Sequence, residues 1–260
     1  MAFSVKERLM AIQRALDVDD DGILGPVTLT AIERVVTKRQ DDRAHPSFSL
    51  IASRDGLKQL IEFEISSPQF YYRNLKKPIW PGGKSGITIG IGYDLGYHRR
   101  WQIEQDWRGH IPDSDIERLV GVVGLRGEDA KRALRRVRSV SIPFESARRI
   151  FYESSLPRYA KDTRRIYPGV QRLPADAQAM LLSLVYNRGT ALSGSRRREM
   201  KAIKGHVRRK KLDRIADEIR RMKRLWDENL LPGLHTRRDA EADLVVGAER
   251  AYQWSELIYL

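Results

Sequence analysis

The sequence of 260 residues contains no cysteine, which excludes disulfide bonds and every metal site that needs a thiolate ligand. Its five histidines are scattered and form neither an HExxH motif nor a close pair, so a zinc site is not predicted. We therefore expect the protein to work without a metal ion or other cofactor.

Long apolar runs are also missing. No stretch approaches the roughly 18 uncharged apolar residues that a membrane span requires, and residues 1–10 lack the apolar run of a secretory signal. We expect no membrane span, and a protein that acts outside the cytoplasm would need something else to release it.

Acidic residues are outnumbered. The chain has 48 Lys and Arg against 34 Asp and Glu, which gives a net charge of +14. Such a field attracts polyanions, namely nucleic acid, anionic lipid or an acidic cell wall. No helix-turn-helix, zinc-finger or RNA-binding aromatic motif is visible, so a specific nucleic-acid partner is not predicted. The hydrophobic fraction of 41% is typical of a globular chain with a core.

The pattern along the chain predicts a small helical unit at 1–40, a polar linker at 41–49 that contains Pro46, and a larger body at 50–260. Within the small unit, Asp17, Asp19 and Asp21 match the first half of a calcium-binding loop, but Thr28 stands where that loop needs a glutamate. The alternative is a turn leading into a helix that begins near Thr28. This turn resembles the last half of the peptidoglycan-binding domain of cell-wall hydrolases, although a purely structural helical cap is equally compatible with it.

The body is predicted to be α+β and mainly α, with a small hairpin beside a larger helical lobe. The residues 79–97 have the composition of a hairpin. Helical periodicity is found at 54–66, 114–120, 127–138, 144–164, 175–187, 210–226 and 236–257.

Glu64 falls on the apolar face of the first of these helices. Leu57, Leu60 and Ile61 form a stripe that Glu64 continues at i+7, whereas Glu62 points to solvent. An apolar setting favours the neutral, protonated carboxyl that a general acid needs. The alternative is a frayed helix end at which Glu64 reaches water.

A second candidate group follows 24 residues later. If 87–92 is a strand, Thr88, Gly90 and Gly92 share one face, and the glycines let a polymer approach the backbone. Thr88 could then bind a water that Asp94 orients or deprotonates. The plainer interpretation is that threonine is a good strand former and that Asp94 begins a turn.

These segments resemble the catalytic region of the phage-type lysozyme superfamily, with its pesticin-like branch the most similar. The resemblance rests on Glu64-Ile-Ser-Ser, Trp80-Pro-Gly-Gly, Thr88-Ile-Gly-Ile-Gly-Tyr-Asp94, the apolar helix ending in Asn187-Arg-Gly, and the segment from Gly233 to Glu241, in which Arg237 and Glu241 form an i, i+4 pair. It implies a lysozyme-like fold.

By this resemblance the protein would be an endolysin-type muramidase that hydrolyses the β-1,4 bond between N-acetylmuramic acid and N-acetylglucosamine. Glu64 would be the general acid, and Asp94 and Thr88 would hold the attacking water, with inversion and carboxyls roughly 6.5–9.5 Å apart. The candidate substrate-binding residues are Trp80, Gly90, Gly92, Tyr93, Tyr97 and Asn187; the aromatic ones could equally be packing residues.

The resemblance implies peptidoglycan as the partner, and we expect a monomer. Because no signal segment is seen, we expect a phage endolysin that stays in the host cytoplasm until it reaches the cell wall or periplasm; a secreted toxin or effector is the alternative. The basic stretch 196–224 could attract an anionic envelope surface, or could simply be a solvated helical face. The rival functions are a lytic transglycosylase that uses Glu64, a non-enzymatic polyanion- or wall-binding protein, and an inactive structural part of a phage particle.

Overall fold

The computed structural model describes residues 4–16, 18–25, 28–29, 31–32 and 48–260. Its contacts divide the chain into two units, Met1–Phe48 and Ser49–Leu260. Asp17, most of the predicted helix 28–36 and the linker residues 41–47 lie outside the described residues. No helix among the described residues is both long and apolar enough to cross a membrane.

In the first unit, helix α1 (Val5–Ala15) begins at Ser4, whose side chain accepts a hydrogen bond from the amide of Glu7. The buried side chain of Gln13 organises the following loop. Its Nε2 donates to Asp21 Oδ1 at 2.7 Å and to Thr28 Oγ1 at 3.0 Å, and its Oε1 accepts from the amide of Gly22. The carboxylate of Asp21 therefore takes part in holding the loop. Among the described residues, no group of three or more acidic or histidine side chains could hold a metal ion.

The second unit is mainly helical with two small antiparallel sheets, as the sequence pattern predicts. Its principal helices are α2 (Arg54–Ile65), α3 (Arg100–Trp107), α4 (Asp113–Val120), α5 (Glu128–Ala133), α6 (Phe144–Ile150), α7 (Leu156–Ile166), α8 (Ala175–Arg188), α9 (Arg198–Arg208), α10 (Leu212–Arg221) and α11 (Pro232–Val246). The strands are β1 (Ile51–Ser53), β2 (Thr88–Ile89), β3 (Tyr93–Asp94) and β4 (Leu257–Tyr259), with π-helical turns at Tyr71–Leu75 and Phe151–Ser155.

Helix α8 is the centre of this unit. All its residues from Ala175 to Val185 are buried, and it contacts β1, α2, α7 and α11. A helix that is buried on every face needs neighbours on every side, and the surrounding elements supply them. The core therefore forms around α8, which also ends near the candidate site.

The basic stretch 196–224 packs one face and exposes the other, as predicted. Ile215, Ile219 and Met222 are buried on the inner side of α10 and the turn after it. Several basic residues on the outer side are exposed, namely Lys201, Arg208, Arg209, Lys210, Lys211, Arg214 and Arg221.

Several parts of the fold differ from the predictions, and helix α3 was not predicted at all. The predicted helix 236–257 ends at Val246, and the chain then forms β4, which pairs antiparallel with β1 through Ile51 and Tyr259. The predicted strand 87–92 is only two residues long, because Gly90 and Gly92 have φ of 57° and 66° and form the hairpin turn. Glycine adopts this left-handed conformation without the steric cost that a Cβ imposes.

Helix α2 packs closely on α8 at Gly56, where a Cβ would lie 2.5 Å from Ala179 Cβ. We predict that Gly56→Ala destabilises the protein by about 1–3 kcal/mol through overpacking, although alanine is the better helix former. Lys58→Ala, on the exposed side of α2, should stay within about 0.5 kcal/mol of the wild type. Urea denaturation followed by circular dichroism measures both, and a Gly56→Ala variant as stable as Lys58→Ala would contradict the close packing.

Candidate active site

Glu64 lies in the last turn of α2, and its side chain is 21% exposed. Its Oε1 accepts a hydrogen bond from Nη1 of Arg237 at 2.7 Å. The carboxyl is therefore neither in a wholly apolar setting nor at a frayed helix end that simply faces water. Glu62 is exposed, as predicted.

Arg237 connects Glu64 to two buried helices. Its Nε donates to Glu241 Oε1 at 3.0 Å within α11, and its Nη2 donates to Ser183 Oγ of α8 at 3.0 Å. The hydroxyl of Ser183 in turn donates to Glu241 Oε1 at 2.6 Å. The predicted Arg237–Glu241 pair is thus confirmed, and Arg237 also fixes one oxygen of Glu64.

The residue after α2 has an unusual backbone. Ser66, two positions after Glu64, has φ of 56° and ψ of −49°, a region that non-glycine residues rarely occupy. Ser67 then accepts a hydrogen bond from the amide of Phe70 at 3.0 Å and starts the next turn. The chain therefore leaves α2 abruptly just beyond Glu64.

Thr88 and Asp94 face each other across the hairpin of β2 and β3. The backbone N–H and C=O of Thr88 bond instead to Ile79, at 2.8 and 3.0 Å, so Thr88 and Asp94 form a non-hydrogen-bonded pair. Side chains of such a pair lie on the same face of a hairpin and close to each other. This register brings the side chains of Thr88 and Asp94 together through antiparallel pairing, and not along one strand as the sequence analysis assumed.

The carboxylate of Asp94 holds two loops together. Oδ1 accepts from the amides of Gly86 at 3.0 Å and Gly96 at 2.8 Å, and Oδ2 accepts from Gly86 at 3.1 Å. A carboxylate offers about four acceptor positions, so Oδ2 keeps capacity for one further donor such as water. Asp94 therefore has the structural role of a turn residue, and its carboxylate can still accept one further hydrogen bond.

Two tyrosines that the sequence analysis did not single out lie within electrostatic range of Glu64. The rings of Tyr159 and Tyr186 are 4.5 Å apart. Burial, followed by the negative charges of Glu64, Asp162 and Asp94, raises the pKa of Tyr159. Burial and then the charge of Glu64 raise the pKa of Tyr186 well above its usual value. The charges of Glu64 and Asp94 therefore both raise the pKa of the same residue, Tyr159.

Tyr186 also fixes the hairpin turn, because its hydroxyl donates to the carbonyl of Ile91 at 2.9 Å. Tyr186 could have been singled out from the sequence, because it directly precedes Asn187 in the motif that the sequence analysis compared with phage-type lysozymes. Asn187 itself is exposed at the end of α8.

The aromatic residues that were predicted to stack on sugars differ in how exposed their rings are. Tyr93 is 2% exposed and its hydroxyl donates to Asp106 Oδ2 at 2.7 Å, so it is a packing residue and its ring is closed to a sugar. Trp80 is half-buried, donates to the carbonyl of Ser85, and has Lys131 5.3 Å from its ring centroid. Tyr97 is 62% exposed.

Two of the open cavities on this unit differ in whether they include predicted site residues. One of about 360 Å³ is lined by Lys84, Tyr97, Arg126 and Gly127, and so includes one predicted residue. A larger one of about 510 Å³ includes none of them; it is lined by Gly109, His110, Glu145, Ser146, Arg148, Arg149, Tyr152 and Glu153. The acidic and basic side chains of the larger cavity are largely paired with each other, as in Glu145–Arg148 at 2.7 Å.

A family model described as a domain of unknown function (DUF8812) matches residues 62–175. No curated protein matches the chain. The matched segment contains Glu64, Thr88, Asp94 and Tyr159, and it ends before α8 and α11. The family model thus covers the candidate acid, the hairpin and Tyr159 in one segment, and it assigns them no activity.

Gly92 is closed to any side chain, because a Cβ there would lie 2.1 Å from the Tyr186 hydroxyl. We predict that Gly92→Ala destabilises the hairpin by about 2–4 kcal/mol through the clash and the left-handed backbone together. Gly83→Ala is the matched control, since its φ of 58° is similar but open space surrounds it, and it should cost about 1 kcal/mol. Equal losses in urea denaturation would contradict the Tyr186 contact.

His98 stacks on Tyr93 with ring centroids 3.9 Å apart, and its Nδ1 lies 2.6 Å from the carbonyl oxygen of Asp94. Burial lowers the pKa of His98, although the hydrogen bond to Asp94 opposes the shift. The unfolded chain therefore binds a proton below about pH 6.5 that the folded chain takes up less readily.

We predict that stability falls as the pH decreases below about 6.5, and that part of this loss disappears in His98→Gln. Urea denaturation at pH 7 and pH 5 of both proteins measures the difference. A wild type and a variant that lose the same stability over this interval would contradict the assignment, as would an NMR titration that places the pKa of His98 at or above 6.5.

Proposed function

We propose that this protein is a glycoside hydrolase that cleaves the glycan of peptidoglycan, with Glu64 as the general acid. The observation that carries the proposal is the hairpin register that pairs Thr88 with Asp94, together with Tyr159, whose pKa the charges of both Glu64 and Asp94 raise. Two carboxyl groups on opposite sides of a bond are the minimum requirement for acid-assisted glycoside hydrolysis.

The contacts of Glu64 fix its orientation, but the guanidinium of Arg237 stabilises a negative charge there, so they support the positioning of the acid and not its protonation. Because Arg237 donates to Oε1, the other oxygen, Oε2, is available to carry the proton toward the leaving oxygen of a substrate. The network of Arg237, Ser183 and Glu241 limits rotation of the carboxyl. Such positioning by groups that are themselves fixed contributes to catalysis through orientation.

The contacts of Asp94 and Thr88 support a water-binding pair. Oδ2 of Asp94 has a free acceptor position, and the Thr88 side chain lies opposite on the same face of the hairpin. A water held there would attack the anomeric carbon while Glu64 protonates the leaving oxygen, which gives inversion when the substrate lies between the two groups. The resemblance to phage-type lysozymes favours a muramidase, and an endolysin is the setting we propose for it.

We predict that Glu64→Gln abolishes the release of reducing ends from purified peptidoglycan, since an amide cannot donate the proton to the leaving group. Glu62→Gln is the matched control, two residues away on α2 and exposed, and should retain wild-type activity. Asp94→Asn should lower activity at least about 10²-fold, the usual contribution of acid–base assistance, and Thr88→Val should also lower it, because the water would lose an orienting hydroxyl.

Mass analysis of the products separates the rival functions. Hydrated reducing ends support the hydrolase, whereas anhydro-sugar products would make the protein a lytic transglycosylase. Wall binding without any cleavage by the wild type would contradict the proposal and favour a binding protein.

A further inference from the structure

The cavity of about 360 Å³ lined by Lys84, Tyr97, Arg126 and Gly127 adjoins the loop that Asp94 holds. It has an aromatic wall and two cations. The guanidinium of Arg126 lies 5.1 Å from the ring centroid of Tyr97, and the Tyr97 hydroxyl donates to the carbonyl of Lys84 at 3.3 Å. We call it the Arg126 cavity.

The walls of the Arg126 cavity are fixed to the candidate active site. Asp94 accepts from Gly86 and Gly96, which lie beside the wall-forming segments. A Cβ on Gly96 would lie 2.7 Å from Arg126 Cγ, so only glycine lets the Arg126 side chain lie against this loop. The carbonyl of Ser85 accepts from the amide of Gly127 at 2.9 Å. The position of the cations is therefore coupled to that of Asp94.

The two cations of the Arg126 cavity lack acidic partners. Neither Lys84 nor Arg126 forms an ion pair with an acidic side chain of the part of the chain that the structure describes. Basic residues on the adjacent helix α5 are paired, as in Lys131–Glu128 at 3.6 Å and Arg132–Asp129. Two unpaired cations beside an exposed ring form a site for an anion attached to a flat or apolar group.

We propose that the Arg126 cavity binds a carboxylate of the peptide stem that a peptidoglycan strand carries. Arg126 would hold the carboxylate, Lys84 would add a second positive charge, and Tyr97 would contact the apolar part of the stem. This inference rests on the proposed function, because the glycan must lie over Asp94 for its stem to reach the cavity. It makes the peptide stem part of what the site recognises.

The test compares the binding of two soluble probes by isothermal titration calorimetry at low salt. One is a disaccharide–peptide fragment of peptidoglycan, and the other is the same fragment with its carboxyl groups converted to methyl amides. We expect the wild type to bind the carboxylate form about three- to tenfold more tightly, as for a partly exposed charge pair, with a smaller ratio at high salt. Arg126→Gln and Lys84→Gln should each lower this ratio.

The matched control is Arg132→Gln. It also removes one positive charge, but Arg132 is on α5 and lies outside the Arg126 cavity. This variant should keep the wild-type ratio of the two affinities. Equal binding of the two probes by the wild type, no detectable binding of the carboxylate probe, or an equal loss in Arg132→Gln would overturn the inference. Circular dichroism shows whether each variant is folded.

The release of reducing ends tests the proposed function separately. A wild type that cleaves peptidoglycan but shows no preference for the carboxylate probe would overturn only the Arg126 cavity as a carboxylate site. A wild type that prefers the carboxylate probe but cleaves nothing would overturn the hydrolase and support the anion site as part of a binding protein.

Discussion

The guanidinium of Arg237 joins the three helices on which the candidate site depends. It bonds to Glu64 at the end of α2, to Ser183 in the middle of α8 and to Glu241 within α11. Removing one member of a buried charge network leaves the others uncompensated and is far more costly than replacing the whole network. The orientation of Glu64 therefore depends on how α8 and α11 pack, and this part of the core serves the site as well as the fold.

Asp94 also combines a structural role with a place in the candidate site. Its carboxylate bonds to the amides of Gly86 and Gly96, while its position in β3 places it opposite Thr88. Tyr186 then ties the hairpin turn to α8 through the carbonyl of Ile91. The hairpin has only two paired residues per strand, so these side-chain bonds to the backbone supply the order that a longer ladder would provide.

Local patterns predicted much of this structure. The apolar stripe of α2 distinguished Glu64 from Glu62, and the composition of residues 79–97 predicted the hairpin, whereas the pairing of Thr88 with Asp94 across it was not predicted. Other features depend on residues far apart in sequence, such as the bond from Arg237 to Glu64, and no local periodicity contains them. Gly90 and Gly92 were assigned to a strand because period-two alternation does not reveal that both need a left-handed backbone. Tyr93 matched a sugar-stacking residue by type, and only burial shows its packing role.

The pairing of β1 with β4 has a consequence for how the second unit forms. Residues 51–53 bond to residues 257–259, and α2 begins directly after β1. Contacts between residues so far apart in the sequence form only after a long loop has closed, and the entropy cost of this closure slows folding. On a ribosome, residues 51–53 emerge long before residues 257–259 have been synthesised, so the surroundings of the first turn of α2 are completed only after β4 has formed.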